Sequence, residues 1–311
     1  MSAAAAERDF ARHRLVALIV TAASLALMAP ARDLGIGAQL AILAGGMALT
    51  GVPHGAVDHV RMAPRFRRRF GRSWLLVFLF AYVGVATAVA AIWLAWPAPS
   101  LMLFLALSLH HFGSGDAKDG LGAVVHGSVP ILAPCAAHPD AVAELFALLT
   151  ATQVSTWQAF LRDVRPILVL VMVGLVALRW ARRRGSFAEA LELLAIAAAG
   201  LALPPLLSFT LYFCVWHAPR HIVLVARELR PGPLAGSLAA FARAALPMTL
   251  LTVALGALAL GWMPAGQQPT ERLLQVVFVG LAALTVPHLL VTDAMRRSAA
   301  AVVHATPAAV R

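Results

Sequence analysis

The chain has 311 residues, 61% of them hydrophobic and 13% charged, with a mean hydropathy of +0.82. Soluble globular domains carry about 25% charged residues, so this composition excludes an ordinary water-soluble fold and leaves the lipid bilayer as the solvent able to take so much apolar surface. The formal net charge of +11 does not indicate nucleic acid, because the arginines cluster between apolar runs instead of interleaving with aromatics on amphipathic faces.

Runs of about 20 apolar residues span a bilayer as helices, which satisfy their own backbone hydrogen bonds. In chain order the candidates are 15–30, 36–57, 74–96, 98–112, 121–137, 166–180, 188–203, 206–226, 241–263 and 273–291. This predicts an all-α, polytopic transmembrane helix bundle of about ten spans forming one domain over 1–311, with about eight as the alternative if the shortest runs are partial or broken helices. The first run ends in Ala29-Pro30-Ala31, which resembles a signal-peptidase site; its removal would leave the remaining topology unchanged. The segment 140–160 has mixed polarity and is expected to lie along the interface as an amphipathic helix. Cys135 and Cys214 lie inside apolar runs without CxxC spacing and are read as small core residues.

The loop charges test the span count. With both termini cytoplasmic, 20 of the 25 basic residues fall inside, only Arg32, Arg162, Arg165 and Arg272 fall outside, and Arg220 falls within a span. That asymmetry follows the positive-inside rule and predicts a multi-pass protein of the cell (inner or plasma) membrane.

Histidines are the main ionisable groups inside the runs, and such groups call for a partner or a function. His54, His111, His217, His221 and His288 all fall near the cytoplasmic ends of the second, fourth, eighth and tenth spans, at one depth. His217 and His221 are four residues apart, which places both imidazoles on one helix face. Interhelical hydrogen bonding accounts for a lone histidine such as His126, but not for the common depth of His54, His111, His217 and His221, for which a metal site is predicted. His110 points about 100° away from His111, and His59 about 140° from His54, so neither is expected in the same site. Asp58 follows His54 by one turn and Asp116 follows His111 by five residues, positions from which a carboxylate accepts the second ring N–H of a ligating histidine. An ordinary loop acid beside Lys118 is the alternative for Asp116. Arg220 is expected to pair with one of these carboxylates or to extend toward the cytoplasmic face. His288 and the aromatics Phe112, Tyr212, Phe213 and Trp216 are expected to shape a slot for a long apolar substrate.

Four stretches carry a resemblance: Gly51-Val52-Pro53-His54-Gly55-Ala56-Val57-Asp58-His59, Ser108-Leu109-His110-His111-Phe112-Gly113-Ser114-Gly115-Asp116, Trp216-His217-Ala218-Pro219-Arg220-His221 and Val286-Pro287-His288-Leu289-Leu290. In this order they resemble the Brp/Blh family of bacteriorhodopsin-related integral membrane β-carotene 15,15′-dioxygenases, over residues 46–293. The resemblance implies Fe(2+) held by His54, His111, His217 and His221, a carotenoid substrate drawn from the bilayer, and scission of its 15,15′ double bond by O₂ to give two all-trans-retinal molecules, which pass to an opsin or to further metabolism. His288 lies outside that quartet. Pro219, between His217 and His221, departs from a regular helix and is expected to bend its axis.

Two other classes were weighed. A diiron lipid hydroxylase or desaturase needs about eight ligands in HxxxH and HxxHH boxes, and the HxxHH spacing does not occur here. A metal or proton transporter, or a retinoid-binding protein, would carry polar groups through the outer halves of the same spans, which are almost purely apolar.

Overall fold

A computed structural model describes residues 3–28, 33–116, 119–182, 185–264 and 266–305, the side chains of 3–6, 115–116 and 298–305 excepted. Among these residues every regular element is a helix: α1 (Ala3–Ala26), α2 (Ile36–Gly46), α3 (Val52–Gly55), α4 (Asp58–Phe70), α5 (Trp74–Ala95), α6 (Pro97–Asp116), α7 (Gly120–Ala137), α8 (Pro139–Thr150), α9 (Val154–Ala181), α10 (Phe187–Ala202), α11 (Pro205–Leu211), α12 (Ala218–Leu229), α13 (Leu234–Trp262) and α14 (Pro269–Ala305). Two π-helical segments, Met47–Gly51 and Tyr212–His217, join α2 to α3 and α11 to α12.

Five stretches are long and apolar enough to cross a bilayer: Ile36–Ala95, Gly120–Ala137, Val154–Ala181, Leu234–Trp262 and Pro269–Arg297. The other apolar runs form α1, α6, α10 and the α11–α12 pair. Large side chains point outward along these helices, with Phe80 84% and Leu94 77% exposed on α5 and Leu170 73% exposed on α9. Such a surface belongs in lipid rather than water.

The bundle is built around α7, which is packed by α6, α9 and α10. Glycine makes the α6–α7 contact possible. A Cβ on Gly113 would overlap the Ala123 carbonyl, and one on Gly127 would overlap that of Leu109, so the two backbones meet at a distance no other residue allows. Gly113 follows His111 and Phe112, and its role is to bring α6, with His111, against the centre of the fold.

α1 is part of the packed bundle. Ala17 and Thr21 are buried, Arg14 donates to Glu192 of α10 (3.2 Å), and Asp9 pairs with Arg227 of α12 (2.8 Å). The cleavage-like tripeptide 29–31 lies outside the described residues.

Two sequence expectations are corrected here. Segment 140–160 is not one interfacial helix: Ala151 turns left-handed (φ 53°) and divides it into α8 and the start of α9. One face of α8, including Val142, Phe146 and Leu149, is buried against neighbouring helices. Arg220 pairs with neither Asp58 nor Asp116 but donates to Glu192 Oε1 (2.7 Å), whose other oxygen takes Arg14. The acid comes from α10, a helix otherwise read as plainly apolar, and a carboxylate that deep is tolerable because two guanidiniums share it.

Candidate metal centre

Five histidines from four parts of the chain meet in one place: His54 of α3, His111 of α6, His217 at the end of the second π segment, His221 of α12 and His288 of α14. One nitrogen each from His54, His111 and His288 lies within 4.8 Å of the others. His217 Nε2 is 3.2 Å from His111 Nε2, and the His221 ring centre lies 5.7 Å from that of His54 and 5.3 Å from that of His288.

The π segments put the first histidines there. In the second segment the Ala218 N–H bonds back five residues to Phe213 rather than four, leaving the Cys214 carbonyl for the Thr50 hydroxyl, which donates to it at 3.1 Å. Thr50 belongs to the first π segment, so the two widened turns are tied directly to each other. A proline lies two residues beyond each segment, Pro53 and Pro219. Proline has no N–H, and its ring crowds the carbonyl four residues back; a widened turn relieves both problems. His13 of α1 donates through Nε2 to Val215 O, four residues before Pro219, at 2.9 Å. The bend expected at Pro219 is thus accommodated by a π turn that α1 buttresses, and the turn is what delivers His217 and His221 to the same side.

Tautomers can be assigned from acceptors. His54 Nδ1 meets the Gly51 carbonyl, which only accepts, so the proton is on Nδ1 and Nε2 offers a lone pair to the cluster. His221 Nε2, His288 Nε2 and His111 Nδ1 are buried without a hydrogen-bond partner. Buried imidazole nitrogens left open are costly unless something occupies the space they share. Two nitrogens bound side by side to one ion at about 2.1 Å each lie about 3 Å apart, close to the His111–His217 spacing. Ring centres on such an ion lie about 4.6 Å apart for neighbours and about 6.4 Å for opposites, and the observed separations run from 4.9 Å (His54–His288) to 6.5 Å (His54–His111). The donor set fits a transition-metal ion.

Beside the cluster lies an apolar cavity. His54, His111 and His288 form part of its wall, Phe78, Phe104 and Phe213 another, and Val83, Leu251 and Leu255, which are exposed on the outer surface of α5 and α13, its mouth.

Of the residues expected in a substrate slot, His288, Phe112 and Phe213 line this cavity. Tyr212 and Trp216 do not. Trp216 faces α1, where its Nε1 donates to Thr21 Oγ (3.0 Å), and Tyr212 packs behind Phe112 at a ring-centre distance of 5.0 Å. Successive residues on a helix cannot all face one cavity, and Phe213 holds that position. Asp58 is buried, but it serves His288 rather than the nearby His54. The Asp116 side chain lies outside the described residues. His110 is exposed, and His59 Nδ1 binds the Ala56 carbonyl (3.0 Å) apart from the cluster.

His126 belongs to a separate network: its Nε2 is 3.2 Å from Glu189 Oε1, and Glu189 and Asp119 both pair with Arg179. His126→Ala is expected to retain metal and turnover and to lose stability by about 1–3 kcal/mol from the broken buried contact. Metal analysis beside a detergent melting curve checks this; a metal-free but well-folded His126→Ala protein would show the wrong histidines have been grouped.

A sequence profile of the family described as beta-carotene 15,15′-dioxygenase matches residues 45–296. The chain is 28% identical over 295 residues (84% of this chain, 85% of the relative) to the "Probable beta-carotene 15,15′-dioxygenase Blh" of Halobacterium salinarum. It is 29% identical over 257 residues (78% of this chain, 89% of the relative) to the "Beta-carotene 15,15′-dioxygenase" of an uncultured marine bacterium, 66A03. No solved structure matches it. The profile spans every helix that carries a histidine of the cluster, and the chain belongs to the β-carotene 15,15′-dioxygenase family.

Proposed function

We propose that this protein cleaves the 15,15′ double bond of a carotenoid, β-carotene in the first instance, with O₂, releasing two molecules of all-trans-retinal, and that His54, His111, His217 and His221 hold Fe(2+). The observation that carries this reading is the placement of a buried imidazole cluster in the wall of an apolar cavity whose mouth opens on the lipid-facing surface. When bound, a histidine-ligated non-haem iron with open positions supplies the O₂ activation that an unaided polyene lacks.

The chain's own side chains do the remaining work. A carotenoid dissolved in the bilayer reaches Val83, Leu251 and Leu255 without crossing water. Phe104, Phe112 and Phe213 give the polyene aromatic faces to lie against and hold its reacting carbons beside the imidazoles. The same lining keeps bulk water from the reacting bond. His54 is steadied by the Gly51 carbonyl and by the edge of Phe213, 5.4 Å between ring centres, so its direction does not depend on the substrate. Both atoms of O₂ end in the two aldehydes, so the reaction needs no external reductant. The arginine distribution supports a plasma-membrane protein with both termini cytoplasmic, and an opsin in the same membrane is the natural receiver of the product.

The test is expression in bacteria that accumulate β-carotene. Orange colour is expected to fade as retinal appears, and the purified protein should form retinal in air without NAD(P)H. Intact carotenoid despite good membrane expression, or turnover that persists without O₂, overturns the reading.

A further inference from the structure

We infer that His288 is a fifth ligand of the same ion, and that Asp58 and Tyr82 are the residues that aim it. The inference rests on the metal reading above and extends the donor set beyond the four histidines the motifs suggest.

His288 Nδ1 lies 2.8 Å from Asp58 Oδ2. A carboxylate oxygen accepts, so the imidazole donates from Nδ1, and its Nε2 is left with a bare lone pair. That nitrogen is buried and has no hydrogen-bond partner. It is not turned toward packing hydrocarbon: the His288 ring centre is 4.9 Å from His54, 5.2 Å from His111 and 5.3 Å from His221. Carboxylate, imidazole and shared space with other imidazoles, in that order, make the arrangement by which proteins fix a ligating histidine and raise its basicity.

Asp58 gives an independent reason. It is 2% exposed, and among the described residues it pairs with no arginine or lysine. Its only hydrogen bonds are from His288 and from the Tyr82 hydroxyl, at 3.2 Å to the same oxygen. Neither donor is a permanent cation. A carboxylate at this depth needs positive charge nearby, and a divalent ion one imidazole away supplies it. Gly55 completes the device, since a Cβ there would come within 3.3 Å of His288 Nδ1 and press the ring out of line. The glycine of the Pro53-His54-Gly55 motif thereby makes room for a histidine more than 200 residues away.

A structural histidine that merely satisfied Asp58 would leave metal binding untouched, which sets the experiment. The full-length protein is purified in detergent, stripped of metal and titrated with Co(II), whose visible spectrum reports ligand number, beside His54→Ala, His288→Ala, Asp58→Asn and Tyr82→Phe. His288→Ala is expected to bind Co(II) at least tenfold more weakly with an altered spectrum, and added imidazole should restore the wild-type spectrum, a rescue that a misfolded protein would not show. Asp58→Asn keeps the shape of the residue and is expected to weaken binding roughly 10- to 100-fold, with Tyr82→Phe changing it less. If His54→Ala loses Co(II) while His288→Ala and Asp58→Asn bind it with wild-type affinity and spectrum, the fifth-ligand assignment is overturned and the four-histidine site stands. If His54→Ala also binds like the wild type, the metal reading itself fails.

Discussion

Retinal formation should fall by at least about 100-fold, and bound iron with it, when His54 is replaced by alanine. A residue that only orients a metal ligand costs roughly 10- to 100-fold when changed, and a ligand should cost more. His54 is the hub of the cluster, its ring lying within 6.5 Å of the other four. Alanine there opens the centre of the site rather than its rim. His111→Ala, His217→Ala and His221→Ala should behave alike in direction, with His217 and His111 close behind because their nitrogens already face each other at 3.2 Å. The measurement is iron per folded chain together with retinal yield at matched expression. Full iron and normal cleavage in His217→Ala and His221→Ala would mean that the ion, if there is one, sits elsewhere.

Gly113→Val should damage the protein as a whole. Overpacking a core costs about 1–3 kcal/mol when side chains can shift aside. Here the obstacle is the Ala123 carbonyl on an adjacent helix, and backbone cannot rotate away. The expected result is a loss at or above the top of that range, read as a marked drop in detergent melting temperature, with metal lost because α6 carries His111 as it moves off α7. Gly113→Ala should show a smaller version of the same pair of changes. A Gly113→Val protein with wild-type melting and metal content would mean that the two helices do not meet as described.

The helical class and the level of the site were legible because they depend on features a sequence displays directly: apolar run length, the sidedness of arginine, and the position of histidines near run ends. Run 74–96 and helix Trp74–Ala95 agree to one residue because charge and glycine punctuate both ends. His110 and His111 were separable because adjacent helical residues diverge. The less legible parts depended on partners far away in the chain. Nothing near His288 shows that Asp58, 230 positions earlier, fixes its tautomer. Nothing around Arg220 shows that a single glutamate in an apolar helix will meet it. Trp216 adjoins His217 and was grouped with the slot, but its indole N–H needed a buried acceptor and found Thr21 on α1. Hydropathy is also blind to a π turn, since one extra residue per turn changes direction but not composition. For that reason 36–57 and 206–226 read as plain helices.

The paired π turns also bear on which sequence changes this architecture can absorb. Each adds close to one residue's rotation, about 100°, to everything that follows in its helix. Deleting a single residue within Tyr212–His217 would restore an ordinary helical register and swing His221 and Arg220 away from His54 and Glu192, although each letter of the downstream motif remained. Substitutions there are a matter of fit, whereas an insertion or deletion is a change of aim. Relatives that share the chemistry should therefore hold the length of these two short segments fixed even where their residues differ, while the loops outside the bundle are free to grow or shrink.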